Sequence, residues 1–166
     1  LSTEAFLEVP MRKRVANEQA NVAPATDQEW LDLEDLAEVE VTSEDPAHPI
    51  ESALIPSGTG WRSAELGRQT VRVLFDKPQK IRHIRLAFQE PEQPRTQEFV
   101  LRWSPDGGRS YREIVRQQYN LSPSGSSRET EDYRVQLDSV TVLELIIIPD
   151  ISGGPARAAL AELRVA

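Results

Sequence analysis

The sequence predicts an all-β protein: an antiparallel β-sandwich with jelly-roll connections, preceded by a short N-terminal arm that is helical or irregular. Three observations carry this. Apolar and polar residues alternate with period two in one short segment after another. Clusters of Gly, Pro, Ser and Asp separate those segments. No ten-residue helical stripe lies between them, which disfavours parallel βαβ units.

The elements follow in order. Residues 1–26 hold no sustained period and end in Asn21-Val22-Ala23-Pro24-Ala25, which reads as an arm or linker with one helical turn near Glu4. Thr26 or Asp27 then caps a short helix with Trp30, Leu33 and Leu36 on one face. Its acids gather in the first turns, where the helix dipole favours them. Residues 27–166 read as a single sandwich domain whose acidic N-terminal segment is 27–45.

Period two begins at Ala37-Glu38-Val39-Glu40-Val41. It returns at Val71, Val73 and Phe75; at Ile84, Leu86 and Phe88; at Phe99, Leu101 and Trp103; and at Tyr133, Val135 and Leu137. Residues 142–148 are apolar on both faces, and Leu160, Leu163 and Val165 close the chain. The count is seven or eight short strands. The turns between them include Asp76-Lys77-Pro78, Ser104-Pro105-Asp106-Gly107-Gly108 and Ser152-Gly153-Gly154-Pro155.

Composition bounds the function. A chain of 166 residues, 39% hydrophobic and 28% charged, suits one soluble globular domain. The longest apolar run, Leu145-Ile146-Ile147-Ile148, is far short of the roughly 20 residues of a membrane span. Residues 1–10 carry Glu4 and Glu8 and lack the apolar core of a signal peptide, although the chain begins at Leu1. With no cysteine there is no disulfide, thiolate metal site or cysteine nucleophile, and a reducing compartment, the cytoplasm, is favoured over export.

The net charge is -8, and residues 27–45 hold nine acids and no base. From residue 46 onward fifteen acids face sixteen bases, so no basic face offers itself to nucleic acid. The run Arg12-Lys13-Arg14 is a solvated arm. Hydrolytic chemistry wants a base beside a nucleophile. The two histidines are His48, in a Pro-flanked loop, and His83, expected on the surface side of a strand. Neither lies in a catalytic motif, and no enzyme activity is expected.

Several motifs succeed one another in a familiar order: Thr42-Ser43, Ile50-Glu51-Ser52-Ala53, Thr59-Gly60-Trp61, then a strand over residues 71–75 and the turn Asp76-Lys77-Pro78. Ile81, Ile84 and Leu86, the strand and turn from Phe99 to Gly107, Tyr111, and Glu162-Leu163-Arg164-Val165 continue it. This order resembles the discoidin or coagulation-factor type C family, within the galactose-binding-like jelly rolls, over residues 36–166. Glu51-Ser52-Ala53 departs from the family's Asp-Gly-Asn loop.

The resemblance implies a core role for Trp61 and ligand binding at loops on one end of the sandwich. It also implies a structural calcium held by Glu51, Thr59 and Glu162. The alternative is that Glu162 bonds loop amides and fixes the same geometry without metal. For the ligand, two segments read as loops have the chemistry that binds sugars: Arg95-Thr96-Gln97 and Arg116-Gln117-Gln118-Tyr119-Asn120. The candidate contacts are Arg95, Gln97, Arg116, Gln118, Tyr119 and Asn120, and the two arginines alternatively clasp a carboxylate. The opposing reading has Arg116 and Gln118 bracing the loop at 122–127, with Tyr119 plugging its base. Loop tips such as residues 56–60 lack the apolar and basic groups a membrane surface requires.

The function expected is a non-catalytic binding module for carbohydrate. The alternative is a protein-interaction or assembly module, suggested by the uneven charge and the arm.

Overall fold

A computed structural model describes residues 29–56, 58–89, 93–122, 124 and 128–166. The chain divides into two units, Leu1–Trp30 and Leu31–Ala166. The expected arm, its helical turn and the caps Thr26 and Asp27 lie outside the described residues. Among the described residues, every helical turn and strand belongs to the second unit.

The first element of that unit is one helical turn, α1 (Leu33–Leu36), capped by Asp32, whose side chain accepts from the Asp35 amide at 3.3 Å. Strand β1 (Ala37–Val41) follows at once and alternates half-buried and exposed residues as its sequence dictates. A second single turn, α2 (Glu51–Leu54), occupies the segment expected to be a loop and buries Ala53 and Leu54. The remaining strands are β2 (Trp61–Leu66), β3 (Gln69–Gln89), β4 (Arg95–Ser104), β5 (Arg112–Leu121), β6 (Arg128–Ile148), β7 (Arg157–Leu160) and β8 (Glu162–Val165).

Two of these, β3 and β6, are 21 residues long, or about 70 Å if straight. They bend instead. The antiparallel pairing between them slips at Leu74/Gln79, Gln79/Ile81 and Ile81/His83, where exposed Asp76, Lys77 and Pro78 interrupt the ladder. Each strand therefore serves both layers. The larger layer runs β1, the first half of β3, the second half of β6, β4, β5. The smaller runs β8, the second half of β3, the first half of β6. Strands β2 and β7 pair with each other.

The core forms between the layers. Val71, Val73, Phe99, Leu101, Leu143, Leu145 and Ile147 of the larger layer meet Ile84, Leu86, Phe88, Leu163 and Val165 of the smaller. Each side chain so enclosed contributes about 1.5–3 kcal/mol. Trp61 is buried, as expected, and donates from its indole nitrogen to the Ser43 carbonyl at 3.1 Å. Trp103 sits at the core's margin, half-buried, with the Arg112 guanidinium 5.2 Å from its ring centre.

Three expectations change. Residues 95–97 and 116–120 are not loops: they are the start of β4 and the middle of β5, paired through Arg95↔Leu121, Gln97↔Tyr119, Glu98↔Gln118 and Val100↔Arg116. Polar side chains on an edge strand look like a loop in sequence because nothing apolar alternates strongly with them. His83 is not a surface residue. It is fully enclosed, with Nε2 2.6 Å from Asp132 Oδ1, and its backbone pairs with Ala166.

Candidate ligand-binding site

The loops joining the layers gather where β2 begins, β3 ends and β7 passes into β8. Here lies a cleft of 200 Å³ lined, among the described residues, by His48, Thr59, Trp61, Arg62, Gln89, Leu160 and Ala161. The turn at residues 45–48 is fastened to β2 through both backbone groups of Arg62: its amide donates to the His48 carbonyl at 3.1 Å and its carbonyl accepts from the Asp45 amide at 2.8 Å. His48 and Arg62 are thereby held as neighbours. The Asp45 carboxyl stays below the usual carboxylate range, chiefly through a hydrogen bond from the Ala47 amide, and its Oδ2 lies 3.5 Å from His48 Nδ1.

Gly60 sets the opposite wall. Its φ of +89° suits glycine, and a Cβ there would sit 2.9 Å from the Leu160 carbonyl oxygen. Only a bare backbone brings Thr59 so close to Leu160 and Ala161. The cleft therefore combines a guanidinium, an imidazole, an amide and a hydroxyl with the half-buried Ala161, over a base formed by the enclosed Leu160 and Trp61. Such a set binds a polar molecule with an apolar face.

Strand alternation separates the six residues nominated from the sequence. Arg116, Gln118 and Asn120 point outward from the larger layer and make one row with their partners on β4. Thr96 Oγ1 donates to Asn120 Oδ1 at 2.8 Å and Gln118 Nε2 donates to Glu98 Oε1 at 3.0 Å. Arg116 donates to Glu98 at 2.9 Å and to Glu113 at 3.1 Å. The hydrogen bonds from Gln118 and Arg116 hold the Glu98 carboxyl below its usual range.

Arg95, Gln97 and Tyr119 point inward. Arg95 is buried, with Nη1 donating to the Pro149 carbonyl at 2.9 Å. Gln97 is fully buried and its amide atoms have no hydrogen-bond partner among the described residues. Tyr119 stacks on Phe99 at 5.9 Å, and burial holds its phenol well above the usual tyrosine range. It plugs the space between the layers.

The residues implied for calcium do not fit the ion. Glu162 lies 3.7 Å from an Arg164 guanidinium nitrogen and 3.9 Å from one of Arg128, so cations already face its carboxylate. Glu51 and Thr59 line different clefts. Ala53, where a side-chain ligand was expected, is fully buried. Among the described residues no group of three acids or histidines comes together for a metal.

Of the cleft residues, sequence reasoning offers His48 only as a base, Thr59 only as a metal ligand and Trp61 only as core. It misses Arg62, Gln89, Leu160 and Ala161. Arg62 follows directly on the Thr59-Gly60-Trp61 motif, which is the one signal that points to it.

The sequence matches no family model and no curated protein sequence. Solved structures do match. The family 32 carbohydrate-binding module of Clostridium perfringens NanJ, solved with galactose, shares 15% identity over 82% of this chain and 96% of its own, with a TM-score of 0.60. The family 32 module of AlyQ, solved with 4,5-unsaturated mannuronic acid, shares 14% over 84% of this chain and 98% of its own, also at 0.60. A chitosan-binding module from a Paenibacillus sp. IK-5 chitosanase/glucanase shares 17% over 82% and 98%, again at 0.60. At such identities the likeness is one of fold: the described residues from Leu31 on share the antiparallel β-sandwich fold of these modules.

Proposed function

We propose that the chain is a non-catalytic carbohydrate-binding module whose ligand enters the cleft between His48, Arg62, Gln89 and Leu160. The observation that carries this is the composition of that cleft. A sugar presents hydroxyls in fixed directions around a ring with one apolar face, and it needs directional donors and acceptors set beside a small apolar wall. Guanidinium, imidazole, amide and hydroxyl supply the first, and the half-buried Ala161 the second. Structural neighbours solved with galactose and with an unsaturated mannuronic acid support the same reading.

An assembly module calls for a continuous apolar patch. The large apolar side chains that stand exposed among the described residues are Ile55, Leu66 and Ile151, on three separate stretches of chain. The cleft and the structural neighbours favour the carbohydrate reading over assembly.

The test is titration calorimetry against a panel of mono- and oligosaccharides, with Arg62→Ala and Gln89→Ala beside the parent. Binding of a sugar that each substitution weakens about tenfold, roughly 1.4 kcal/mol, is the expected result. Sugar binding indifferent to both substitutions would exclude the cleft as the site.

A further inference from the structure

The outward face of β6 is apolar where a solvent-facing strand of an antiparallel sheet is normally polar. Ile146 and its cross-strand neighbour Val100 point away from the core yet are only 7% and 5% exposed. They floor a second groove, of 410 Å³, on the outer face of the larger layer, lined by Arg68, Val100, Arg102, Tyr111, Glu113, Arg116, Ile146 and Ile148.

The strand register orders this groove. Ile148, Ile146 and Glu144 succeed one another along β6 opposite Glu98, Val100 and Arg102 of β4. Arg68 stands at the Ile148 end, immediately before β3, and Arg102 with Tyr111 at the other. Along one side stand Glu113 and Arg116 of β5. The track from Ile148 to Glu144 is about 13 Å long.

The charges are unequal in their freedom. Arg102 is held by Glu144 and Tyr111, and Arg116 is held by Glu98 and Glu113 while staying 55% exposed. Arg68 is exposed and makes no ion pair among the described residues. A straight, shallow track floored by Val100 and Ile146, with an uncommitted guanidinium at one end, fits an extended polyhydroxylated chain carrying carboxylates.

We propose that this groove is a second binding site, for an acidic glycan of the uronate class, with Arg68 as the residue that receives a carboxylate. The proposal extends the carbohydrate-binding reading to a surface separate from the loop cleft, and its test keeps the two apart. The probe is an oligogalacturonate, set against the same chain after carboxyl reduction and against poly-glutamate, titrated into the parent, Arg68→Gln, Arg68→Lys and Arg62→Ala. Arg68 has no partner to lose among the described residues, so matching melting temperatures certify the fold of its variants.

Oligogalacturonate is expected to bind the parent. Arg68→Gln should weaken it about tenfold, Arg68→Lys much less, and Arg62→Ala hardly at all. The carboxyl-reduced chain should bind at least as weakly as oligogalacturonate binds Arg68→Gln. Equal affinity for the reduced chain, equal affinity for poly-glutamate, or indifference to Arg68→Gln would each overturn the proposal. Absence of oligogalacturonate binding would overturn it as well, while neutral-sugar binding lost in Arg62→Ala would leave the loop cleft standing.

Discussion

Arg102 donates from Nε to Glu144 Oε1 at 2.5 Å while its guanidinium lies 4.3 Å from the centre of the Tyr111 ring. The other oxygen of Glu144 accepts from Arg72 Nε at 2.7 Å. A carboxylate 1% exposed is thus shared by two guanidiniums, one to each oxygen, and the hydrogen bond to Glu144 holds Arg72 above the usual arginine value. The arrangement ties β3, β6 and β4 together across the outward face of the larger layer.

Removing Glu144 leaves Arg102 without its carboxylate partner and Arg72 with only the exposed Glu40, 3.4 Å away. Breaking a fully buried pair costs roughly 3–5 kcal/mol, and partial exposure of both arginines reduces this to about 2 kcal/mol for Glu144→Ala. Urea denaturation should show a lower midpoint with an unchanged slope. An unaltered midpoint would mean that the network contributes nothing to stability.

Gln97 presents the opposite case, a buried amide whose atoms find no partner among the described residues. Replacing such a group with an apolar one of like size removes a desolvation penalty, so Gln97→Leu should be neutral or stabilising by about 1 kcal/mol. Sugar affinity should not change, because the side chain faces Tyr119 and the core rather than either groove. A loss above roughly 2 kcal/mol would show that the amide has a bonding role, for instance to an enclosed water.

These two residues mark how far the sequence can be read. The apolar periodicity of 71–75, 84–88 and 99–103 suffices for the sandwich, because a strand between two layers must alternate. The double-faced apolar run at 142–148 is legible too, and its outward half proves to floor a groove. The polar strand β5 is not legible: Arg116 to Asn120 have the composition of a loop, and only pairing with β4 reveals that alternate members face opposite ways. The loop cleft is hidden for another reason. Its residues come from four distant stretches, and the backbone bonds between Arg62 and residues 45–48 that assemble it leave no periodic trace.

Calcium should have no effect on stability. Since guanidiniums already face Glu162 and no acid cluster forms among the described residues, a chelator should leave the melting temperature unchanged, and added calcium should not raise it. Glu162→Gln should cost no more than about 1 kcal/mol, the usual range for a partly exposed pair. A rise of several degrees with calcium, lost in Glu162→Gln, would restore the metal site.

His83 makes stability depend on pH. It is enclosed between Asp132, Arg85 and Arg134, and burial pushes its pKa below the ordinary 6.5 despite the opposing pull of Asp132. Below pH 6.5 the unfolded chain therefore takes up a proton that the folded chain resists. Stability must fall as pH falls, by at most about 1.4 kcal/mol per pH unit for one such group. The desolvation of Asp132 is outweighed by Arg85 and His83, which hold its carboxyl below the usual value, so it adds a loss of the same sign at lower pH. Urea midpoints should thus decline between pH 7 and pH 5 in the parent and stay flatter in His83→Gln. Asp132→Asn keeps the imidazole while removing the charge that favours its protonation, so in that variant the decline should persist. A decline equal in the parent and in His83→Gln would assign the acid sensitivity to other groups.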